Sequence, residues 1–241
     1  MAKKSYNPLT NTEYKERFGI ESLENKELGK DEKKKRLKKA FKKAWEVRNF
    51  EIDKFWQRSI YFWGFIALIF TGYVYCITSE SSYTVKAMYF DLYMILLGGI
   101  FSVAWLLVIC GSIQWQNNWE AHIDELEDEI TGPLYKTVYC KKKKSYYSVS
   151  RINKTLAWVV IAVWCFLLIR YFFDNCTMFR NMLACLPPLK EIIFVILPIL
   201  AAIVCVIILP IGCKTANGKI KADKADFQGK HGVFLERVSG E

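Results

Sequence analysis

Histidine is scarce in this chain, which limits the acid–base and metal chemistry open to it. Only His122 and His231 occur among the 241 residues. His122 is followed by Asp124, Glu125 and Glu129, and an imidazole among carboxylates can bind a divalent metal. Carboxylates dominate that cluster, however, and the Glu-x-x-His pattern of di-iron bundles is missing. A lone histidine on an acidic helix reads as a polar residue, so no metal and no cofactor is expected. The chain also lacks a P-loop, a dinucleotide-binding glycine pattern, a nucleophile elbow and a zincin motif. No enzyme is expected. Eight cysteines are present without a C-x-x-C pair. Cys176 and Cys185 fall in one connecting loop, and an oxidising compartment would permit a disulfide between them. The sequence leaves that pairing open, because the geometry of the loop is unknown. Arg170 is the single charge of an apolar run, with Asp174 four residues on. Snorkelling and an i,i+4 pair account for it better than an ion path.

The charged residues near His122 belong to an ordered pattern. Trp115, Trp119, Ile123, Leu126 and Ile130 recur at steps of four, four, three and four. That spacing lines them along one face of an α-helix. Carboxylates at 120, 124, 125, 127, 128 and 129 cover much of the remaining surface, and Gly132-Pro133 is expected to stop the helix. The stripe is too regular to face water. A second helix, expected to start with Asp31 as its cap, carries Leu37, Phe41, Trp45 and Ile52 on one side and many lysines on the other. This basic helix is the expected partner of the seam, from the same or a neighbouring subunit. Lys38 and Lys42 would complement Glu120, Asp124, Glu127 and Asp128 across its flanks. Exposed ion pairs are individually worth about 0–1 kcal/mol. Charge reversal at Glu127 is therefore expected to do little alone, whereas Trp119→Ala should lower the oligomeric state.

The helices that position this seam are set by segregated composition. The chain is 52% hydrophobic yet carries a formal charge of +10. Four apolar blocks, about 60–77, 92–113, 155–173 and 192–213, reach the roughly 20 residues that a bilayer requires. The first begins too late for a secretory signal peptide. Lysine and arginine number 17 before the first block, 7 in the central loop and 6 in the tail. The two remaining loops hold 3, an asymmetry that places both termini and the central loop in the cytosol. The fold class expected is an all-α integral membrane protein with four transmembrane helices, helical extensions into the cytosol and cytosolic termini. Lysines beside spans orient a membrane protein and attract anionic headgroups, so lipid rather than nucleic acid is the expected partner.

In chain order, residues 1–30 are a polar segment in which Thr10-Asn11-Thr12-Glu13 resembles a capping box. Residues 21–30 read as linker or loosely docked helix. Residues 31–58 are the basic amphipathic helix. Residues 59–113 are a first transmembrane hairpin, and 114–154 are the acidic helix with a basic loop. Residues 155–213 form a second hairpin, in which Pro198 is expected to kink the helix. Residues 214–241 are a basic tail with no assigned structure. Gly98 and Ser102 make a small-xxx-small step that lets another helix approach closely, within or between subunits.

Three stretches carry a resemblance. They are Lys54-Phe55-Trp56-Gln57-Arg58-Ser59-Ile60-Tyr61-Phe62-Trp63-Gly64-Phe65, the whole of Trp115 to Lys136, and Tyr147-Ser148-Val149-Ser150-Arg151-Ile152-Asn153. Together they resemble the RipA-like octameric membrane proteins of bacteria over about residues 40–170. The resemblance implies an inner-membrane protein that forms homo-oligomers, and the octamer rests on it alone. It implies no reaction. The function expected is a non-enzymatic homo-oligomeric scaffold, or a stress- or host-adaptation factor, with a cytosolic helical collar. The alternative is an oligomeric pore or ion channel, including a membrane-depolarising effector. A ring of subunits would enclose a pore and acidic rings suit cations, but no span carries a polar stripe.

Overall fold

Thr10 opens the first helix as its sequence predicts. Its hydroxyl accepts from the Glu13 backbone N–H, and the Glu13 carboxylate accepts from the Thr10 N–H at 2.8 Å. These bonds satisfy donors that a helix start otherwise leaves open. The computed structural model describes residues 5–18, 20–21, 26–27, 29–78, 89–137, 139, 147–174, 196–212, 219–220 and 234–238. The elements in chain order are β1 (Ser5–Leu9), α1 (Asn11–Arg17), β2 (Ile20–Glu21), β3 (Lys26–Glu27) and α2 (Lys30–Thr78). There follow α3 (Phe90–Glu127), α4 (Val149–Asp174), α5 (Leu197–Gly212), β4 (Lys219–Ile220) and β5 (Phe234–Val238). They form two compact units, one of Met1–Phe50, Gln116–Lys144 and Lys214–Glu241, the other of Glu51–Trp115 and Ser145–Cys213. The long helices α2 and α3 contribute to both.

The first unit adds strands to a fold expected to be wholly helical. β1 lies between β4, which it pairs in parallel, and β5, which it pairs antiparallel. Pro8 sits in β1 beyond the register of β4, where among the described residues β1 has β5 as its one partner strand. Proline lacks an N–H and is tolerated at such edge positions. β2 and β3 pair antiparallel where a linker was expected. The basic helix starts one residue before Asp31. Its first donors, the N–H groups of Glu32 and Lys33, bond the Gly29 carbonyl at 3.0 Å, so Asp31 lies in the first turn and is not the cap. The acidic helix also ends early, at Glu127 rather than at Gly132. The Glu127 carbonyl accepts from the N–H groups of Ile130, Thr131 and Gly132. Gly132, at φ 72°, supplies the left-handed residue that closes this turn.

The second unit is a bundle of α2, α3 and α4. Phe55, Trp105, Leu106, Ile109 and Ala157 form one buried cluster, and Ile69, Tyr73, Ile95 and Trp164 form another. From the first cluster to the second α2 and α4 run forward and α3 runs backward. Among the described residues three helices are long and apolar enough to cross a membrane. Apolar side chains such as Ile60, Leu68, Phe166 and Ile169 are exposed on this unit, as lipid contact requires. α5 falls in the fourth apolar block, and its 16 residues make about 24 Å of helix, short of the roughly 30 Å hydrocarbon core. Pro198 is the second residue of α5, directly after a π-helical residue at Ile196, and the stretch before residue 196, where a kink would show, lies outside the described residues. Ala202 is buried and Ala201 exposed.

Gly98 shows why the small-residue step exists. A Cβ built there would overlap two ring carbons of Trp164. The close approach is therefore within one chain, between α3 and α4. Ser102, fully buried, donates its hydroxyl back to the Gly98 carbonyl at 2.7 Å and so needs no partner in lipid. Gly98→Ala must push a buried indole aside, at a cost of about 1–3 kcal/mol. Gly99→Ala meets nothing within 4 Å and is the control. Thermal melts of the detergent-solubilised protein should show Gly98→Ala destabilised and Gly99→Ala near wild type. Equal melts would sink this account of the glycine.

Candidate functional site

In the first unit the acidic end of α3 meets the basic start of α2 and the short helix α1. Leu37 and Leu126 are buried with Tyr14, and Phe18, Ala40, Phe41 and Ile130 pack around them. Ile123 is fully buried. The partner helix of the seam thus belongs to the same chain, and α1 supplies a third wall. Not every residue of the expected stripe is enclosed. Trp45 stays exposed, standing edge-on to Tyr135 with ring centroids 5.7 Å apart. Trp119 is half-buried against the His122 ring. Trp115 and Ile52 belong to the second unit, where Trp115 is 50% exposed and Ile52 half-buried.

The charges pair differently from the sequence expectation. Lys38 is exposed, and Lys42 lies 4.0 Å from Glu46 on its own helix. Among the described residues neither forms an ion pair with the acidic helix. Arg48 takes that place, with Nη2 3.2 Å from Glu120 Oε1. Its guanidinium lies 5.9 Å from the Trp45 ring centroid and 5.4 Å from that of Tyr135. A cation over two aromatic faces gains from both ring quadrupoles. Lys15 of α1 bridges to Glu125 at 3.1 Å. Asp128 is exposed and bonds Lys136 at 2.8 Å, which draws its carboxyl below the usual range. Asp124 is pushed the other way, by partial burial and then by the charge of Glu127.

Glu127 overturns its expected place on an exposed flank. The side chain is fully buried. Its carboxylate accepts from the backbone N–H groups of Tyr135 at 2.7 Å and Lys136 at 3.0 Å. Its carbonyl closes the helix end, so one residue satisfies five donors of the turn that follows. The physical reason was present in the spacing. Glu127 lies four residues after Ile123, on the same helical face as the stripe. The turn it pins carries Tyr135 to Arg48 and Trp45. Burial and the nearby Glu120 charge hold the Tyr135 phenol neutral, its pKa pushed up to about 12.

His122 is half-buried. Its Nδ1 lies 2.7 Å from the Tyr14 hydroxyl, which donates when the imidazole is neutral with its proton on Nε2. Burial lowers the His122 pKa, while burial and the Glu125 charge raise that of Tyr14. Both shifts favour the uncharged pair. Among the described residues no three of His, Cys, Asp and Glu gather as metal ligands. Cys176, Cys185 and His231 lie outside the described residues. Cys76, Cys110, Cys165 and Cys205 are free thiols. The sequence reading missed Tyr14, Lys15, Arg48 and Tyr135. Arg48 had a signal, three residues after Trp45 and so on a neighbouring position of the helix surface.

A bundle of three apolar helices whose long members extend into a charged, closed seam defines a helical membrane protein. Residues 38–173, more than half of the chain, match the octameric membrane protein family, and the chain belongs to that family. The matched region takes in the bundle helices α2 to α4 almost completely, together with the acidic side of the seam. No curated protein and no solved structure matches the chain.

Proposed function

We propose that this chain is a non-enzymatic, homo-oligomeric scaffold of the bacterial inner membrane, with four spans, cytosolic termini and the seam unit as a cytosolic collar. The observation that carries this reading is the closed seam. Ile123, Leu126 and Leu37 are spent on packing, and the half-buried His122 and the buried Glu127 are engaged with Tyr14 and with backbone donors. Such a unit holds shape and presents a surface, and its ionisable groups are committed to the fold rather than poised for proton transfer. Membership in a family named for its octamers supports self-assembly.

The test has three readouts on one preparation. The detergent-solubilised protein should run as a single large homo-oligomer by light scattering. Proteoliposomes should hold a potassium gradient. Single cysteines at positions 83 and 142, both outside the described residues, should label from opposite sides of the membrane. A monomer would end the scaffold reading. Ion flux would replace it with the pore, and labelling of both positions from one side would end the four-span topology.

A further inference from the structure

We propose that a groove along α4 binds one anionic phospholipid, its phosphate held at Arg151 and one acyl chain laid toward Trp164. This deepens the membrane reading and rests on it. The observation is a pair of grooves on the second unit that meet at Leu156. The first, about 490 Å³, is walled by Tyr147, Ser148, Arg151 and Thr155 together with apolar Ile152 and Val159. The second, about 390 Å³, is wholly apolar apart from three indoles, and runs between Trp63 and Phe70 of α2 and Val163 and Trp164 of α4, with Trp105 of α3 beside them. Each falls within the roughly 300–1,000 Å³ of small-molecule sites.

The order of polarity along α4 is that of a lipid. Arg151 and the hydroxyls of Tyr147, Ser148 and Thr155 come first, and apolar walls follow. The lengths agree as well. Arg151 stands five residues before Leu156, about 8 Å of helix, and Trp164 stands eight after it, about 12 Å. A headgroup layer is about 5–8 Å deep and half a hydrocarbon core about 15 Å, so one leaflet spans the pair of grooves.

Charge selects the headgroup. Arg151 is exposed, and its planar fork matches phosphate oxygens. Ser148 Oγ accepts the Arg151 N–H at 3.4 Å and keeps its own proton to donate. α4 carries no carboxylate before Asp174 at its far end. A headgroup with net negative charge therefore meets attraction with no acidic side chain on that helix to oppose it. The arrangement is more selective than a generic annulus of lipid, because the apolar wall is a recess between two helices with a cation at one end only.

The test is native mass spectrometry of the full-length protein after incubation with dioleoyl phosphatidylglycerol or dioleoyl phosphatidylcholine in mixed micelles. The wild type should retain the glycerol lipid about fivefold more, the discrimination one basic side chain gives at an anionic headgroup. Arg151→Glu should abolish the preference. Ala67→Phe fills the apolar recess from an exposed position on α2 and should remove both lipids. Val163→Trp fills it from α4 and repeats the measurement should Ala67→Phe fail to fold. Equal retention of the two lipids overturns the proposal, as does retention unchanged by Arg151→Glu or by filling the recess. If the filled variants keep their lipid and lose oligomer mass, the recess seats a neighbouring copy and the proposal fails. Oligomer mass is read in the same spectra. A chain that binds the lipid as a monomer would defeat the scaffold reading and leave the lipid site standing.

Discussion

Glu127→Lys is expected to unfold the turn that follows α3 and to loosen the seam it closes. The substitution removes two hydrogen bonds from backbone N–H groups to an ionised carboxylate, each worth about 1.5–3 kcal/mol. It also drives an ammonium into a fully buried site that faces those same two donors. An unpaired buried charge costs about 3–5 kcal/mol, a large share of the 5–15 kcal/mol that holds a domain together. Tyr135 then leaves Arg48 and Trp45, so the aromatic side of the charge network opens with the turn. Glu127→Gln keeps one acceptor and presents an amide to the other donor, and should lose roughly half as much. Limited proteolysis of the solubilised protein reads the effect directly, as new cleavage within residues 128–137 for the lysine variant. A lysine variant with wild-type protection and melting temperature would mean that Glu127 is not the anchor of the turn. The sequence reading expected almost no effect here, so the two accounts separate cleanly.

The contrast shows what patterning conveys and what it hides. Apolar blocks and helical stripes are dense local signals, and the bundle helices and the Leu37–Phe41–Leu126 contact follow from them. The α1 start was equally readable, because four consecutive residues, Thr10 to Glu13, contain both halves of a reciprocal cap. The small sheet was not. β1 finds β5 more than 200 residues away, and β2, β3 and β4 are two residues long, too short to alternate. Charge pairing was misread for a different reason. Lysines are numerous on α2, but a long ammonium chain gains little at a surface. The pairs that reach α3 use an arginine fixed between two rings and a lysine on α1. Counting charges ranks residues by abundance, whereas the fold ranks them by how much of their freedom is already gone.

Leu126→Ala should be the most damaging apolar truncation in the first unit, and it separates folding from assembly. Leu126 is 2% exposed and sits where three elements converge, with Tyr14 of α1 on one side and Leu37 of α2 on the other. Removing a buried leucine side chain costs about 2–5 kcal/mol, and the upper half of that range applies where neighbours cannot collapse into the hole. Here the neighbours are held by other bonds. Tyr14 is tied to His122, and Leu37 lies within a continuous 49-residue helix. The melting transition should fall by roughly 10 °C or more. Trp115→Ala makes the complementary test. That indole is 50% exposed and lies in the other unit, so its loss should leave the first unit's protection and melting unchanged. Any fall in oligomer mass from Trp115→Ala at constant melting temperature would then assign the indole to contact between copies. If Leu126→Ala melts with the wild type, the seam is not the core of the first unit, and the closure argued from Leu37, Leu126 and Tyr14 is wrong.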